Sequence, residues 1–183
     1  MADTISLEIV TPDGLKLRED VNELTAPSVH GEFGVLPMHR PLLAALATGI
    51  VTYIQNGKRE SVAVGPGFVE VAADKALLLT DRFIKKDEVD PVRTRLELKE
   101  VDEALDQFAR SGSADGGAGD LKSAEYGELV ERELWAAAQL ELYGDPPPPR
   151  IRSDQSLAPH EDYADVAKDA GAGESTPPGE GAD

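Results

Sequence analysis

The sequence contains no cysteine among its 183 residues, which excludes disulfide bonds and thiolate metal sites. Phenylalanine, tyrosine and tryptophan together make up only 5% of the residues, so a ligand pocket lined by aromatic rings is not expected. Basic residues number 18 against 35 acidic ones, which gives a formal net charge of -17. A field of this sign repels nucleic-acid phosphates and anionic lipid headgroups, so direct binding to either is not expected.

Long hydrophobic runs are also missing. No apolar segment reaches the length of a membrane-spanning helix, and the first residues lack the basic start and apolar centre of a secretory signal. We therefore expect a soluble protein that reaches a membrane only through other proteins. Hydrophobic residues still make up 40% of the chain, which is enough to build a folded core.

Residues suited to catalysis are few. The three histidines are His30, His39 and His160, and neither an HxxxH pattern nor a histidine–carboxylate spacing marks a metal site. No Gly-x-Ser-x-Gly nucleophile elbow occurs. Gly65-Pro66-Gly67 lacks the third glycine and the following helix of a phosphate-binding loop, so it predicts a corner between strands. Catalysis by this chain alone is not predicted.

The first half of the chain has the two-residue period of β-strands. Apolar and polar residues alternate from Ile5 to about Asp87, and turn signals separate short runs. We expect turns at Asp13-Gly14, at Asn56-Gly57 and at Asp74-Lys75; Asn-Gly is the strongest of these hairpin signals. The pattern predicts an antiparallel β-sandwich or barrel over residues 1–87.

The pattern changes to a helical period near residue 88. Asp90-Pro91 predicts an N-cap followed by the first helical residue, and Ser111-Gly112 predicts the end of that helix. Its expected apolar stripe consists of Val92, Leu96, Val101, Leu105 and Phe108. A flexible loop over 111–120 and a second helix from Leu121 to about Tyr143 complete an antiparallel hairpin over residues 88–143.

The second predicted helix and the tail have distinct compositions. The expected apolar face of the helix consists of Tyr126, Leu129, Val130, Leu134, Ala137 and Ala138. Gly127 lies in its interior, which weakens the helix by about 1 kcal/mol relative to alanine. Residues 144–183 are rich in proline, glycine and acidic residues, and this composition predicts disorder.

One segment between the predicted strands stands out. Gly31 and Gly34 permit backbone angles that other residues avoid, whereas Pro37 and Pro41 fix theirs. We expect a rigid surface loop here. A sheet corner without any further role is the simpler interpretation.

A predicted β-sandwich of about 87 residues that contains GEFGVLPMHRPLL at residues 31–43 and is followed by a helix pair resembles the epsilon subunit of bacterial F-type ATP synthases. The resemblance extends from about Ile5 through Tyr143 and includes residues 64–71, VGPGFVEV, and residues 81–84, DRFI. Where the family usually has a glycine before its histidine, this chain has Met38.

The resemblance implies a non-catalytic rotor subunit of the central stalk, peripheral on the cytoplasmic face of the bacterial inner membrane. Its sandwich would bind the gamma subunit and the c-ring and couple proton flow to ATP synthesis, with catalysis left to the alpha and beta subunits. The implied partner contacts are Gly31, Glu32, Phe33, Gly34, Pro37, Met38 and His39.

In the family, the helical hairpin either folds against the sandwich or extends along gamma and hinders ATP hydrolysis, in contact with the alpha and beta subunits. The second helix here carries two basic residues, Lys122 and Arg132, against five glutamates. Since acidic beta-subunit loops would repel such a helix, we expect weak or absent inhibition.

Some family members also bind ATP on the folded hairpin. The corresponding residues here are Asp90 and Arg93, in an altered motif. The favoured interpretation is that Asp90 is an N-cap and Arg93 is solvated. The alternative is that the pair binds ATP as a cofactor.

Considered without the family, the chain fits a free-standing β-sandwich that binds a protein through its helical hairpin. An enzyme built on a sandwich is the third class, and it lacks a nucleophile or a metal-ligand set. Co-purification with gamma and c subunits discriminates between the first two.

Overall fold

The computed structural model describes residues 4–114 and 124–148. Within them lie ten strands, a short 3-10 turn at Lys86–Glu88 and two helices. The strands are β1 (Ile5–Thr11), β2 (Gly14–Val21), β3 (Glu23–Ser28), β4 (Gly31–Val35), β5 (Leu42–Leu46), β6 (Gly49–Gln55), β7 (Lys58–Val64), β8 (Gly67–Ala72), β9 (Lys75–Thr80) and β10 (Phe83–Lys85). The helices are α1 (Pro91–Ala114) and α2 (Ala124–Tyr143). The predicted fold class, a β-sandwich followed by two helices, is confirmed.

The sandwich closes because β3 takes part in both of its halves. The strand order is β10-β7-β6-β3-β5-β8-β9-β1-β2, with β4 paired to β3 beside this path. Glu23 to Thr25 pair with β6, and Ser28 pairs with Leu46 of β5. Alternate residues of the strands point inward and form one apolar core, in which Leu7, Leu24 and Leu78 are fully buried.

Local turn signals place the hairpins. The predicted turns between β1 and β2 and between β6 and β7 are confirmed. Asn56 and Gly57 both have positive φ, 51° and 75°, as a type I′ turn requires. The turn between β8 and β9 is centred on Ala73 and Asp74, which have φ of 48° and 58°, so the predicted Asp74-Lys75 turn is one residue too late.

Helix α1 begins where the sequence predicts and ends later. The side chain of Asp90 caps it, since Oδ1 accepts hydrogen bonds from the backbone N–H groups of Val92 and Arg93, each at 3.1 Å. The helix continues to Ala114, past the predicted stop at Ser111-Gly112. Helix α2 is described from Ala124, and the predicted loop residues 115–120 lie outside the described part.

The buried faces of both helices differ from the predicted ones. Val92 and Leu96 are 64% and 59% exposed, while Val101 and Leu105 are buried as predicted. In α2, Ala138 is buried as predicted, whereas Leu134 is 40% exposed. The buried α2 residues are Glu133, Ala136, Ala138, Gln139, Leu140 and Leu142. The reason is that α2 packs on two sides, against α1 and against β6 and β7, so a single stripe cannot describe it.

The two helices run antiparallel, and α2 packs against the sandwich. Arg95 near the start of α1 donates from Nε to Asp145, which follows α2, at 2.8 Å. At the other end, the rings of Phe108 and Tyr126 have centroids 5.5 Å apart. Gly144, with φ of 105°, ends α2 by donating its N–H to the carbonyl of Leu140 at 3.1 Å.

Only the first residues of the predicted tail belong to the described part of the chain. Residues 149–183, which hold most of the tail predicted to be disordered, lie outside it. The division into domains at residues 87 and 143 stays a prediction. Neither described helix is long and apolar enough to cross a membrane.

Candidate partner-binding surfaces

The segment predicted as one rigid loop consists of a strand and a shorter loop. Residues 31–35 form β4, paired with β3 over its whole length. Gly31 has the expected positive φ, 112°. Gly34 has no positive φ, so it does not use the conformational freedom that glycine permits. The reason is its pairing with Thr25 of β3, which keeps Gly34 in an extended strand.

The turn between β3 and β4 lies at one end of the sandwich. Ser28 organises it: its hydroxyl donates to the carbonyl of Gly31 at 2.6 Å and accepts from the N–H of His30 at 3.1 Å. Val29 at the tip is 60% exposed. The strand pairing next to Leu46 places this turn close to the end of β5.

The true loop, residues 36–41, lies at the other end. Met38 has φ of 63°, a left-handed conformation that favours glycine. Its N–H donates to Oδ1 of Asp74 at 2.9 Å, which ties the loop to the β8–β9 turn. His39 donates its N–H to Leu36 at 3.0 Å, and its Nδ1 lies 2.8 Å from the carbonyl oxygen of Arg40. These contacts fix the loop's backbone.

The seven candidate contact residues therefore do not share one loop. Gly31 and Glu32 lie beside the β3–β4 turn, Phe33 and Gly34 continue along β4, and Pro37 to His39 lie beyond the far end of that strand. An extended strand rises about 3.4 Å per residue, so about 10 Å separates Glu32 from Val35 at the end of β4, and Pro37 lies beyond that end. His30 and His39 are likewise at opposite ends. In the described part of the chain, no three His, Asp or Glu side chains are arranged to hold a metal ion.

A surface that the sequence interpretation missed lies on the outside of the β5-β8-β9-β1-β2 half. Ala45 pairs with Phe68, Phe68 with Leu79, Leu79 with Val10, and Val10 with Leu15. These five side chains form a continuous apolar row across five strands. We call it the open apolar row. Phe68, Leu79 and Leu15 are 59%, 46% and 49% exposed.

The surroundings of the row extend this surface in two directions. Leu43, 73% exposed, lies two residues before Ala45 and so on the same face of β5. A groove of about 420 Å³ lies beside Val10 and Leu79 of the row; its lining consists of Val10, Thr11, Pro12, Pro66, Gly67, Leu79, Thr80 and Asp81. Exposed apolar surface of this continuity is typical of a protein–protein interface. The sequence pattern does not reveal this surface, because each strand contributes a single outward apolar residue to the row and the row forms only when the strands pair.

Charged residues lie beside the row on this face. Glu8 lies between two cations, with Lys75 Nζ at 2.8 Å and Arg18 Nε at 3.0 Å. The hydrogen bond from Lys75 is the main cause that holds the pKa of Glu8 below its ordinary value, and the charge of Arg18 adds to it. The face thus combines an apolar row with a charged area.

The opposite face of the sandwich is covered by α2. Ala63 of β7, Val89, Ala138 and Leu142 form a second apolar cluster, against which Ile50, Ile84 and Trp135 pack. Two polar contacts join α2 to the same half: Thr48 Oγ1 donates to Glu131 at 3.0 Å, and the Arg82 guanidinium lies 5.9 Å from the centroid of the Trp135 ring.

Asp90 and Arg93, the candidate ATP ligands, lie at the start of α1. One carboxylate oxygen of Asp90 is occupied by the two N-terminal backbone groups of the helix. Arg93 is exposed. The cap accounts for the aspartate without a ligand, and ATP binding at this pair stays a prediction.

Comparisons with known proteins cover the sandwich best. Residues 4–86 match the family model described as ATP synthase, Delta/Epsilon chain, beta-sandwich domain. The chain is 40% identical over 105 residues to the ATP synthase epsilon chain of Carboxydothermus hydrogenoformans, which covers 57% of this chain and 78% of that relative. It is 42% identical over 108 residues to the ATP synthase epsilon chain of Nitratidesulfovibrio vulgaris strain DP4, covering 59% and 81%. It is 38% identical over 109 residues to the ATP synthase epsilon chain of Geotalea uraniireducens, which covers 60% of this chain and 79% of that relative.

Proposed function

The chain belongs to the family of ATP synthase epsilon chains, and from this membership we propose that it is a rotor subunit coupling c-ring rotation to ATP synthesis. Epsilon chains are non-catalytic, so the subunit transmits torque while other subunits perform the chemistry. The observation that carries the proposal is the 40% identity to an ATP synthase epsilon chain over 78% of that relative's length. The subunit is then peripheral, on the cytoplasmic face of the bacterial inner membrane, and associates through protein partners.

The open apolar row supports a permanent contact with the gamma subunit. Free apolar surface on a folded chain is best explained by a partner that covers it in the assembled complex. Leu43, Phe68 and Leu79 are the exposed side chains that such a contact would bury. The loop with Leu36 and Met38, 56% and 73% exposed, is also apolar and fits the same kind of partner.

The β3–β4 turn fits the c-ring better. Its exposed side chains include His30 and Glu32, which suit polar loops, and Ser28 holds the turn in one conformation. A charge on a rigid turn can be recognised without an ordering cost. Of the seven contact residues implied by the family resemblance, Gly31 and Glu32 therefore belong to the proposed ring contact and Pro37 to His39 to the gamma contact.

Co-purification tests the gamma contact. The full-length chain carries a tag, and gamma and c subunits recovered from solubilised membranes are quantified for wild type, Phe68→Asp and Leu96→Asp. The two side chains are equally exposed, at 59%, but Leu96 lies on α1, away from the row. We expect Phe68→Asp to lower recovered gamma about tenfold, as loss of a central aromatic contact does, and Leu96→Asp to leave it unchanged.

Three outcomes count against these assignments. If Phe68→Asp recovers as much gamma as wild type does, the open apolar row is not part of the gamma interface. Recovery of wild type as a monomer without gamma and c subunits contradicts the rotor function and favours a free-standing binding module. Glu32→Lys tests the ring contact separately, and unchanged rotor assembly and proton-driven ATP synthesis would withdraw it.

Weak inhibition of ATP hydrolysis by the hairpin completes the proposal. Glu131 of α2 bonds to Thr48, and Arg132 lies 3.7 Å from Glu97. These contacts, with the apolar cluster under α2, support a hairpin that stays folded on the sandwich. An extended α2 would instead present its glutamates to acidic loops of the beta subunit, where like charges repel.

A further inference from the structure

The free side of β4 is an open sheet edge. β4 pairs with β3 alone among the strands of the described residues. Its residues Gly31, Glu32 and Gly34 are exposed, while Val35 is buried and holds the strand to the core. An edge of this kind presents backbone donors and acceptors to any extended chain that approaches it.

Pro27 determines which backbone groups face that edge. Pro27 lies opposite Glu32 in the β3–β4 ladder, and proline has no N–H to donate. The Pro27–Glu32 pair is therefore a non-hydrogen-bonded pair, and by alternation so is the Thr25–Gly34 pair. It follows that the N–H and C=O groups of Glu32 and Gly34 point away from β3, toward the open edge.

The other edges of the sheet are protected. β2 carries four charged side chains in eight residues, namely Lys16, Arg18, Glu19 and Asp20. β10 is only three residues long and runs directly into the 3-10 turn. Charges and short length are the usual means by which sheet edges avoid pairing with other chains. β4 instead carries two glycines and one glutamate, so its edge is accessible.

We propose that the β4 edge accepts an extended strand of a neighbouring subunit, whose backbone pairs with Glu32 and Gly34 and adds a strand to the sandwich. The inference rests on the proposed function, which supplies the neighbouring subunits. Gly34 has no side chain, and thus allows close approach of the partner's backbone. The side chain of Glu32 selects the partner, because it favours a lysine or arginine on the added strand and opposes an acidic residue there.

A second copy of this chain does not fit that description. Two chains of net charge -17 repel each other, and antiparallel pairing of two β4 edges would bring two Glu32 side chains near one another. The occupant is therefore a strand of different sequence that lacks an acidic residue opposite Glu32.

A proline at position 34 tests the edge. Gly34→Pro removes an outward N–H that no strand of the described residues uses, and edge positions tolerate proline. Gly34→Ala is the matched control, since a Cβ there meets only the Leu24 carbonyl oxygen at 4.0 Å and the N–H remains. Each full-length variant is titrated onto the host ATP synthase from which this subunit has been removed, and urea unfolding verifies its fold.

We expect Gly34→Pro to bind at least about tenfold more weakly than wild type and Gly34→Ala to bind within about threefold. A second measurement uses wild type alone: amide hydrogen exchange at Glu32 and Gly34 should slow at least about tenfold on assembly. This measurement decides the question if Gly34→Pro does not fold.

The outcomes separate this inference from the proposed function. If wild type rebinds while Gly34→Pro also binds with equal strength, or while the Glu32 and Gly34 amides exchange as fast as before, the strand addition is refuted and the rotor function stands. If wild type does not rebind, the proposed function fails first. A dimer of the isolated chain that slows exchange at these two amides overturns the choice of occupant.

Discussion

Replacement of Gly67 by alanine should strongly destabilise the sandwich. Gly67 begins β8, between its partners Leu46 of β5 and Thr80 of β9. A Cβ on Gly67 would lie 2.9 Å from both the carbonyl carbon of Leu79 and the Cα of Thr80, and would overlap the Leu79 carbonyl oxygen. These are backbone atoms of a paired strand, so no side-chain rotation relieves the contact.

The cost follows from what must move. To admit one methyl group, β9 must shift away from β8, which weakens the ladder between the two strands and the core behind Leu78. Overpacking of this kind costs about 1 to 3 kcal/mol, and we expect the upper end because the obstacle is backbone. With a urea m-value of about 2 kcal/mol/M, a loss of about 3 kcal/mol lowers the unfolding midpoint by about 1.5 M.

The same substitution in α2 is the control. Outside the backbone of its own helix, no atom of the described residues lies within 4 Å of the position that a Cβ on Gly127 would take, and alanine is the better helix former by about 1 kcal/mol. Gly127→Ala should therefore raise the urea midpoint by about 0.5 M, at the m-value used above. The reasoning is refuted if Gly67→Ala unfolds at the midpoint of wild type, or if both substitutions change the midpoint in the same direction.

Three further predictions concern the helices and the charged surface. Asp90→Ala should cost about 1 kcal/mol through loss of the α1 cap, measured by urea unfolding, and calorimetry with ATP should show no binding to wild type; millimolar or tighter binding would contradict the cap interpretation. The depressed pKa of Glu8 stabilises the fold above the ordinary pKa of 4.5, and this stabilisation is lost as the pH falls through the lower folded-state pKa. The free energy of unfolding of Glu8→Gln should not show this loss at acid pH. If the free energy of unfolding depends on pH in the same way for Glu8→Gln and wild type, Glu8 does not stabilise the fold in this way. Removal of residues 88–183 should leave ATP hydrolysis by the assembled enzyme nearly unchanged, whereas a large activation would show an inhibitory hairpin.

The strand pattern is predictable because its signals are local. Asn56-Gly57 allows the positive φ angles of a tight turn wherever it occurs. The helix-start signal at Asp90-Pro91 is also local, because the cap involves only residues 90–93. Such signals depend on the backbone preferences of a few neighbouring residues. The turn at Ala73-Asp74 is harder to place because Ala73 has no intrinsic preference for positive φ, and only the pairing of β8 with β9 imposes it.

The helix faces are less predictable, for a different reason. A single apolar stripe describes a helix with one partner. Helix α2 contacts both α1 and the sheet, so its buried residues extend around more of its circumference and include Glu133. The spacing of Val92 and Leu96 assigns them to the inner face of α1, whereas the structure leaves both side chains exposed.

The sequence by itself determined the sandwich, the helix pair, the negative charge and, through residues 31–43, the family resemblance. All of these depend on residue type and on spacing along the chain. Tertiary structure decided that Gly31 and Met38 lie at opposite ends of the sandwich, that Phe68 and Leu79 join one apolar row, and that Glu32 and Gly34 face an open edge. These features arise from hydrogen-bonded register between strands distant in sequence, and pairing of that kind is a property of the folded chain rather than of any segment within it.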